Sequence, residues 1–423
     1  MPRMRKTASS LKPTVAPGAN PNSARSLGRI ALTIDQLRRR GPASVRFGAS
    51  PVIEVRVEGL ENHRVKSKVE LDGFEPTTAA ILWTDHNGHI SARVHPLGNL
   101  ISKMRPRRVR YADFVLLNFF DTWDRTVHRA GAYEVILEPH KQTSSLIKKL
   151  RVESGFGITH AGRIVRADGR SMSLREARGV VNAVGWYLTF ARGSHAHPHF
   201  IEAPSSASAQ QVFRDWSMHR SDPWRDANSW FDPFWSLDIF DEALPGFVAA
   251  VETHGRPLRV AIDWYLHAQA ADVTEAKIIF AVAAVEILAT LVVAGSFAPA
   301  AVTAFDKSHR SAASKITELL TRMGGSSQVP PALRRLRSWA QSRQFDAPTA
   351  VTRLRNVVHA NQLANQLDRA HAVRWEAAQL AFFWFEAAVL FVSGVPISRL
   401  MGRQAPVRGR WYRWAEARRR RSQ

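Results

Sequence analysis

The sequence predicts an α+β protein in which a β-rich N-terminal domain precedes an all-helical bundle. Between residues 44 and 170 short segments alternate apolar and polar residues and are punctuated by Asn-Gly and Asp-Gly pairs. After residue 253 every apolar segment has helical length and is bounded by Pro, Asp or Gly. With 45% hydrophobic and 9% aromatic residues the chain can bury real cores, and 423 residues suit more than one domain.

Residues 1–40 are basic, rich in Pro, Ser and Ala, and are read as a disordered basic tail. No apolar run of signal-peptide type follows them, and a cytoplasmic location is expected. Residues 41–210 form the β-rich domain. "VIEVRV" alternates over 52–57, and "ILWTDHNGHISARV" sets Asn87-Gly88 between two strand-like arms. "AYEVILE" and "GITHAGRIVRADGR" continue the pattern, the latter with a turn at Asp168-Gly169. A helix closes the domain: Ser173 and Glu176 have capping-box spacing, and Val180, Val181, Val184, Tyr187 and Leu188 recur at helical period.

Residues 211–250 are dense in tryptophan and read as a linker that buries aromatic area; base stacking is the competing use of those rings. The helical domain occupies 251–398. "PLRVAIDWYLHAQA" opens at a proline suited to a first turn, and "TEAKIIFAVAAVEILATLVVAG" is nearly continuous apolar sequence around Glu286. "ASKITELLTRMGG" ends at glycines, "PPALRRLRSWAQS" begins at prolines, Asp346 caps "APTAVTRLRNVVHANQ", and "AVRWEAAQLAFFWFEAAVLFVSG" stops before Pro396. Segments 278–294 and 380–395 are apolar enough to resemble membrane spans. Each carries a central glutamate, Glu286 or Glu386, and each is at or below the roughly 20 residues a bilayer requires, so core helices of a bundle are preferred over membrane association.

Fifty-nine Lys and Arg against 36 Asp and Glu give a net charge of +23, which makes a polyanion the first partner class to consider. The absence of cysteine excludes disulfides, thiolate metal sites and a cysteine nucleophile. No P-loop, dinucleotide fingerprint or serine-nucleophile motif occurs, and no cofactor is implied. The Arg-rich tail, 399–423, contains Arg408, Arg410, Trp411, Arg413 and Trp414, a set able to hold phosphates and stack on bases or simply to solubilise the chain.

One cluster has the composition of a catalytic site. On a helix, Arg355 and His359 are four residues apart and about 40° from each other, whereas Arg353 points about 120° away from His359. A histidine of ordinary pKa beside an arginine suits phosphodiester transfer: the imidazole moves the proton of a ribose 2′-hydroxyl or of the leaving oxygen, and the guanidinium stabilises charge on phosphorus. Asn356 would orient one of these groups. The reaction needs no metal and leaves a 2′,3′-cyclic phosphate, which restricts it to RNA. "GSHAHPHF" offers a weaker metal candidate, with His195, His197 and His199 at alternate positions and Pro198 suggesting a loop.

The order "AIDWYLHAQA", "EAKIIFAVAAVEIL", "ASKITELL" and "LRNVVHA" resembles the HEPN superfamily of helical nucleotide-binding and RNA-cleaving domains. The segment from "GITHAGRIV" to "LTFARG" looks like the region found before such domains in uncharacterised bacterial proteins. The resemblance implies catalytic roles for Arg355, Asn356 and His359 and supporting roles for Glu286 and Arg353. Family members usually place four to six residues between arginine and histidine; Arg355 leaves three, and Arg353 leaves five but is followed by Leu354. The resemblance further implies a homodimer and a toxin or antiphage-defence role. The alternative expectation is a non-catalytic nucleic-acid-binding or interaction protein with basic tails.

Overall fold

The computed structural model describes residues 24–34, 37–47, 51–58, 66–71, 74–75, 77–86, 89–96, 100–120, 124–216, 219–226, 229–231, 236–295, 298–309, 311–359 and 367–402. Over most of 24–96, and at 299, 358, 359, 367–370 and 400–402, the description is of the backbone alone. The chain divides into two compact units, one of residues 1–185 with 196–226, the other of 186–195 with 227–423. A β-sheet region followed by a helical region gives the α+β class.

The first unit begins with six strands: β1 (Ala24–Ile34), β2 (Leu37–Phe47), β3 (Pro51–Glu58), β4 (Lys66–Leu71), β5 (Thr77–His86) and β6 (His89–Pro96). They close into an antiparallel barrel in the order β1-β2-β3-β6-β5-β4, which leaves no free sheet edge. Strands therefore occupy 24–34 and 37–40, within the range assigned from sequence to a tail. Ile30, Leu32 and Ile34 alternate there, but the neighbouring arginines mask the pattern. His86 pairs with His89, so β5 and β6 are antiparallel neighbours as the hairpin expectation requires, while Asn87 and Gly88 themselves lie outside the described residues.

A second antiparallel sheet follows in the order β14-β13-β8-β11-β10-β9, built from β8 (Ala112–Leu117), β9 (Thr126–Ala130), β10 (Tyr133–Pro139), β11 (Ile158–Arg166), β13 (Pro198–Pro204) and β14 (Val212–Asp215). β7 (Arg108–Val109) and β12 (Met172–Ser173) form a small ribbon. All six residues of β8 are buried, which makes it the centre of the sheet. Gly162 on β11 is obligatory, because a Cβ there would lie 2.2 Å from the Phe114 ring of β8. Helix α1 (Thr143–Glu153) contributes Leu146, Ile147 and Leu150 to a buried cluster with Trp224. Helix α2 (Leu174–Arg192) starts at the expected capping box: the Glu176 amide donates to Ser173 Oγ at 3.1 Å and the Ser173 amide to Glu176 Oε2 at 2.6 Å.

The expected 211–250 linker resolves into parts of both units. β14 is a sheet strand, Trp216 packs at 5.2 Å from Phe74, and Trp224 joins the α1 cluster in the first unit. Trp230 packs near Tyr187, Phe190 and Phe231 in the second. These three tryptophans are buried, so their rings serve cores and are withdrawn from base stacking.

The second unit contains α3 (Leu237–Ala270), α4 (Thr274–Ala294), α5 (Pro299–Ser308), α6 (Ala312–Met323), α7 (Arg334–Gln341), α8 (Ala347–His359), α9 (Leu367–Val392) and α10 (Ile397–Gly402). α3 is broken at Gly255, whose φ of 42° is helix-incompatible, two residues before Pro257. The proline start expected at 257 is thus the second half of a longer kinked element. α4 is central and packs against α3, α6, α8 and α9. Gly246 lets α3 approach the turn that follows α9, since a Cβ there would lie 2.0 Å from the Ser393 carbonyl oxygen. α4 and the His371–Val392 part of α9 are long and apolar enough to cross a membrane. Half of the apolar window of α4 and 67% of that of α9 are buried inside the protein, the pattern of core helices.

Candidate functional site on helix α8

α8 starts at Asp346, whose Oδ1 accepts the Thr349 amide at 2.9 Å, and runs through His359. Val351, Thr352 and Leu354 are buried and fix the helix against the bundle, leaving Arg353 and Asn356 exposed. Arg355 lies between these faces with its side chain 18% exposed. Its Nη1 is 3.3 Å from Oε2 of Glu286, which is 26% exposed on α4. The two residues singled out from sequence for one site are therefore in contact, although 69 positions separate them. Nε of Arg355 is buried and has no hydrogen-bond partner among the described residues. The helical spacing of Arg355, Asn356 and His359 is present in the backbone, while the His359 side chain lies outside the described residues.

The other candidate sets fare differently. Arg408, Arg410, Trp411, Arg413 and Trp414 all lie outside the described residues. Among the described residues no group of three or more His, Cys, Asp or Glu is placed to hold a metal ion. His195 is buried with Nε2 at 3.7 Å from Asp263 Oδ1 in the second unit. His199 belongs to β13 of the first unit, so the three histidines do not share a strand face: β13 begins only at Pro198.

Two arrangements went unforeseen. His199 Nε2 is 2.6 Å from Ser221 Oγ, and the His199 and His219 rings are 6.0 Å apart. Burial first, then the neighbouring His219 and His197, hold His199 well below its ordinary pKa. Among the described residues its Nδ1 has no hydrogen-bond partner, so none of their carboxylates orients the ring for nucleophilic catalysis. In the second unit, Glu386 on α9 is buried and accepts the Tyr265 hydroxyl at 2.6 Å, while Gln269 Nε2 donates to that hydroxyl at 3.0 Å. Burial pushes Glu386 up to about 8, against the opposing hydrogen bonds from Tyr265 and the Trp230 amide. The sequence signal for it was the carboxylate in an apolar helix; its tyrosine partner is 121 residues away.

Residues 105–227 match the family model described as the YopA central domain, and residues 252–395 match that of the YopA C-terminal domain. The SPbeta prophage-derived uncharacterized protein YopA of Bacillus subtilis (strain 168) is 21% identical over 320 residues, which covers 71% of this chain and 70% of that protein. No solved structure matches. The matched descriptions are those of YopA domains, and HEPN is not among them.

Proposed function

We propose that the helical unit acts on RNA at α8, as a metal-independent endoribonuclease of HEPN-like type. The observation that carries the reading is the Arg355–Glu286 contact, which ties the arginine of the motif helix to the central helix and restricts its rotamers. Arg355 would stabilise charge on the phosphate, Asn356 would orient it, and Arg353 would supply a second positive charge. His359 would take the 2′-hydroxyl proton as O2′ attacks phosphorus and the P–O5′ bond breaks. The O5′ leaving group would take a proton from His359 of a second copy, so that a homodimer supplies base and acid together. The products are a 2′,3′-cyclic phosphate and a 5′-hydroxyl. The relative's description as prophage-derived agrees with a place in phage–host conflict, and the chemistry suits a cytoplasmic protein.

One observation favours a second reading, a non-catalytic RNA-binding domain. Glu286 offsets the charge of Arg355, and a neutralised guanidinium is a weaker electrophilic partner for a phosphate. Expression of wild type, His359→Ala and Arg355→Ala separates the two. The enzyme reading expects RNA fragments with 2′,3′-cyclic phosphate ends from wild type and from neither variant. Equal fragmentation by wild type and His359→Ala overturns it, and intact RNA that wild type and both variants bind equally establishes the binding domain.

A further inference from the structure

The bundle pairs its cations with acids in one region after another. Lys315 meets Asp306, Arg322 meets Glu318, Arg355 meets Glu286, Arg374 meets Glu275, and Arg399 meets both Asp238 and Glu242. Arg256, Arg259 and Lys307 also lack an ion-pair partner among the described residues, but α7 and the outer face of α8 gather four such arginines on two touching helices. Arg334, Arg335 and Arg337 on α7 and Arg353 on α8 are exposed and have no ion-pair or hydrogen-bond partner for their side chains among the described residues.

The reason is visible in the local architecture. From 331 to 359 the sequence holds six arginines and a single acid, Asp346. Asp346 is engaged as the cap of α8, and Glu376 of α9 accepts the Leu336 amide in the first turn of α7 at 2.8 Å. Acids that would otherwise screen the arginines are committed to helix N-termini. Leu336 and Ala340 anchor α7 to the core, so at 100° per residue Arg334, Arg335 and Arg337 distribute over its solvent side. At the end of α7 Arg343 lies over the half-buried Trp339 ring, 4.7 Å from its centroid, which extends the basic surface with a stacked guanidinium. α7 and α8 touch, and Arg353 shares its exposed side of α8 with Asn356.

We propose that α7 together with Arg353 is a phosphate-tracking surface for single-stranded RNA, which positions a strand along the helix that carries Arg355 and His359. This rests on the reading of α8 as an RNA-acting site and names the surface that delivers the strand to it. The argument is charge complementarity: four uncompensated guanidinium groups on two touching helices suit successive backbone phosphates and read no sequence.

The test uses the full chain in the His359→Ala background, so that RNA is not consumed. A fluorescein-labelled 20-nucleotide single-stranded RNA of mixed sequence is titrated by anisotropy at several salt concentrations, against the same chain carrying Arg334→Ala, Arg335→Ala and Arg337→Ala. A parallel variant carries Arg408→Ala, Arg410→Ala and Arg413→Ala. The proposal expects the α7 triple variant to bind at least about tenfold more weakly near 0.1 M salt. Its slope of log affinity against log salt should fall by about 2, at roughly 0.7 for each phosphate of a single strand that is no longer neutralised. Unchanged affinity and slope, with the loss appearing in the tail variant alone, overturns it. So does an α7 variant that keeps its RNA affinity but loses binding to vesicles containing phosphatidylserine, which would make the surface a membrane contact. Helical ellipticity and melting temperature unchanged in the α7 variant confirm that the loss is not one of folding. The wild-type cleavage assay keeps the two readings apart. Fragmentation that survives His359→Ala while α7 still governs binding sinks the catalytic reading alone, and cleavage with unchanged KM in the α7 variant sinks the tracking surface alone.

Discussion

Glu286 and Glu386 occupy the same sequence context and reach opposite solutions. Each stands inside the apolar stretch of a long helix, Glu286 at the middle of α4 and Glu386 in the C-terminal half of α9. Glu286 sits at the rim of the bundle, keeps 26% exposure and faces Arg355. Glu386 is enclosed and accepts the Tyr265 hydroxyl, and burial pushes its pKa up to about 8. The difference is dielectric: near the surface an ion pair is retained, whereas deep in the core a carboxylate gives up its charge and keeps its hydrogen bonds. A carboxylate in an apolar helix is therefore not by itself a sign of function; its depth and its partner decide.

The largest expected effect tests the buried half of the comparison. Glu386→Ala removes the acceptor of the Tyr265 hydroxyl and opens a cavity, and should cost about 2–4 kcal/mol in denaturant unfolding followed by helical ellipticity. Glu386→Gln keeps the shape and an acceptor and should cost less than about 1 kcal/mol at pH 5. The same pair of proteins carries a pH signature. The folded-state pKa is raised above the ordinary 4.5 to about 8, so between these values the unfolded chain has released a proton that the folded chain retains. The contribution of Glu386 is fully present below pH 4.5 and is lost as pH rises towards 8, with a slope of at most roughly 1.4 kcal/mol per pH unit. Subtracting the Glu386→Gln profile from the wild-type one should reveal that decline. A flat difference from pH 5 to 8 would show that Glu386 is ionised in the fold, and the contrast with Glu286 would collapse.

How much of this was legible in the sequence follows the range of the interactions. The Ser173–Glu176 capping box, the Asp346 cap and the halt of α9 ahead of Pro396 are local and legible from neighbouring residues; the helix ends at Val392, two residues before Gly394 with its φ of 90°. Barrel closure by pairing β1 with β4 was not, because Ile34 and Val69 meet only once the intervening strands have curled. The first half of α3 was lost in a tryptophan-rich stretch where aromatic density outweighs helical period. At the candidate site, the helical spacing of Arg355, Asn356 and His359 could be counted, and Glu286 was marked by resemblance. The contact joining Arg355 to Glu286 belongs to the packing of α8 on α4. The uncompensated arginines of α7 were hidden for the opposite reason: in a chain with net charge +23 an arginine run is ordinary until its acids are seen to be engaged elsewhere.

An intermediate effect tests the rim. A double-mutant cycle on Glu286→Gln and Arg355→Gln should give a stability coupling of about 1 kcal/mol or less, as expected of a partly exposed pair. The readout that matters is functional. If Glu286 restrains Arg355 for phosphate chemistry, Glu286→Gln should lower kcat on RNA more than it raises KM, since it frees a group that acts in the transition state. A lower KM with unchanged kcat would instead mean that Glu286 masks the charge of Arg355, and would favour the binding-only reading.

The smallest stability effect belongs to the exposed face. Arg353→Ala and Asn356→Ala remove side chains that are exposed on α8, and each should move stability by no more than about 0.5 kcal/mol. That near-silence is what makes them informative, because any change in RNA handling is then separable from folding. Arg353 and Arg355 differ in exposure and in partner: the first is exposed with no acidic partner among the described residues, and the second is 18% exposed and faces Glu286. Arg353→Ala should therefore lower the salt slope of RNA binding by about 0.7, one phosphate's share, while Arg355→Ala lowers it by less. Equal slopes for the two variants would mean that RNA displaces Glu286 from Arg355 on binding, and the rim pair would then be a contact the ligand breaks.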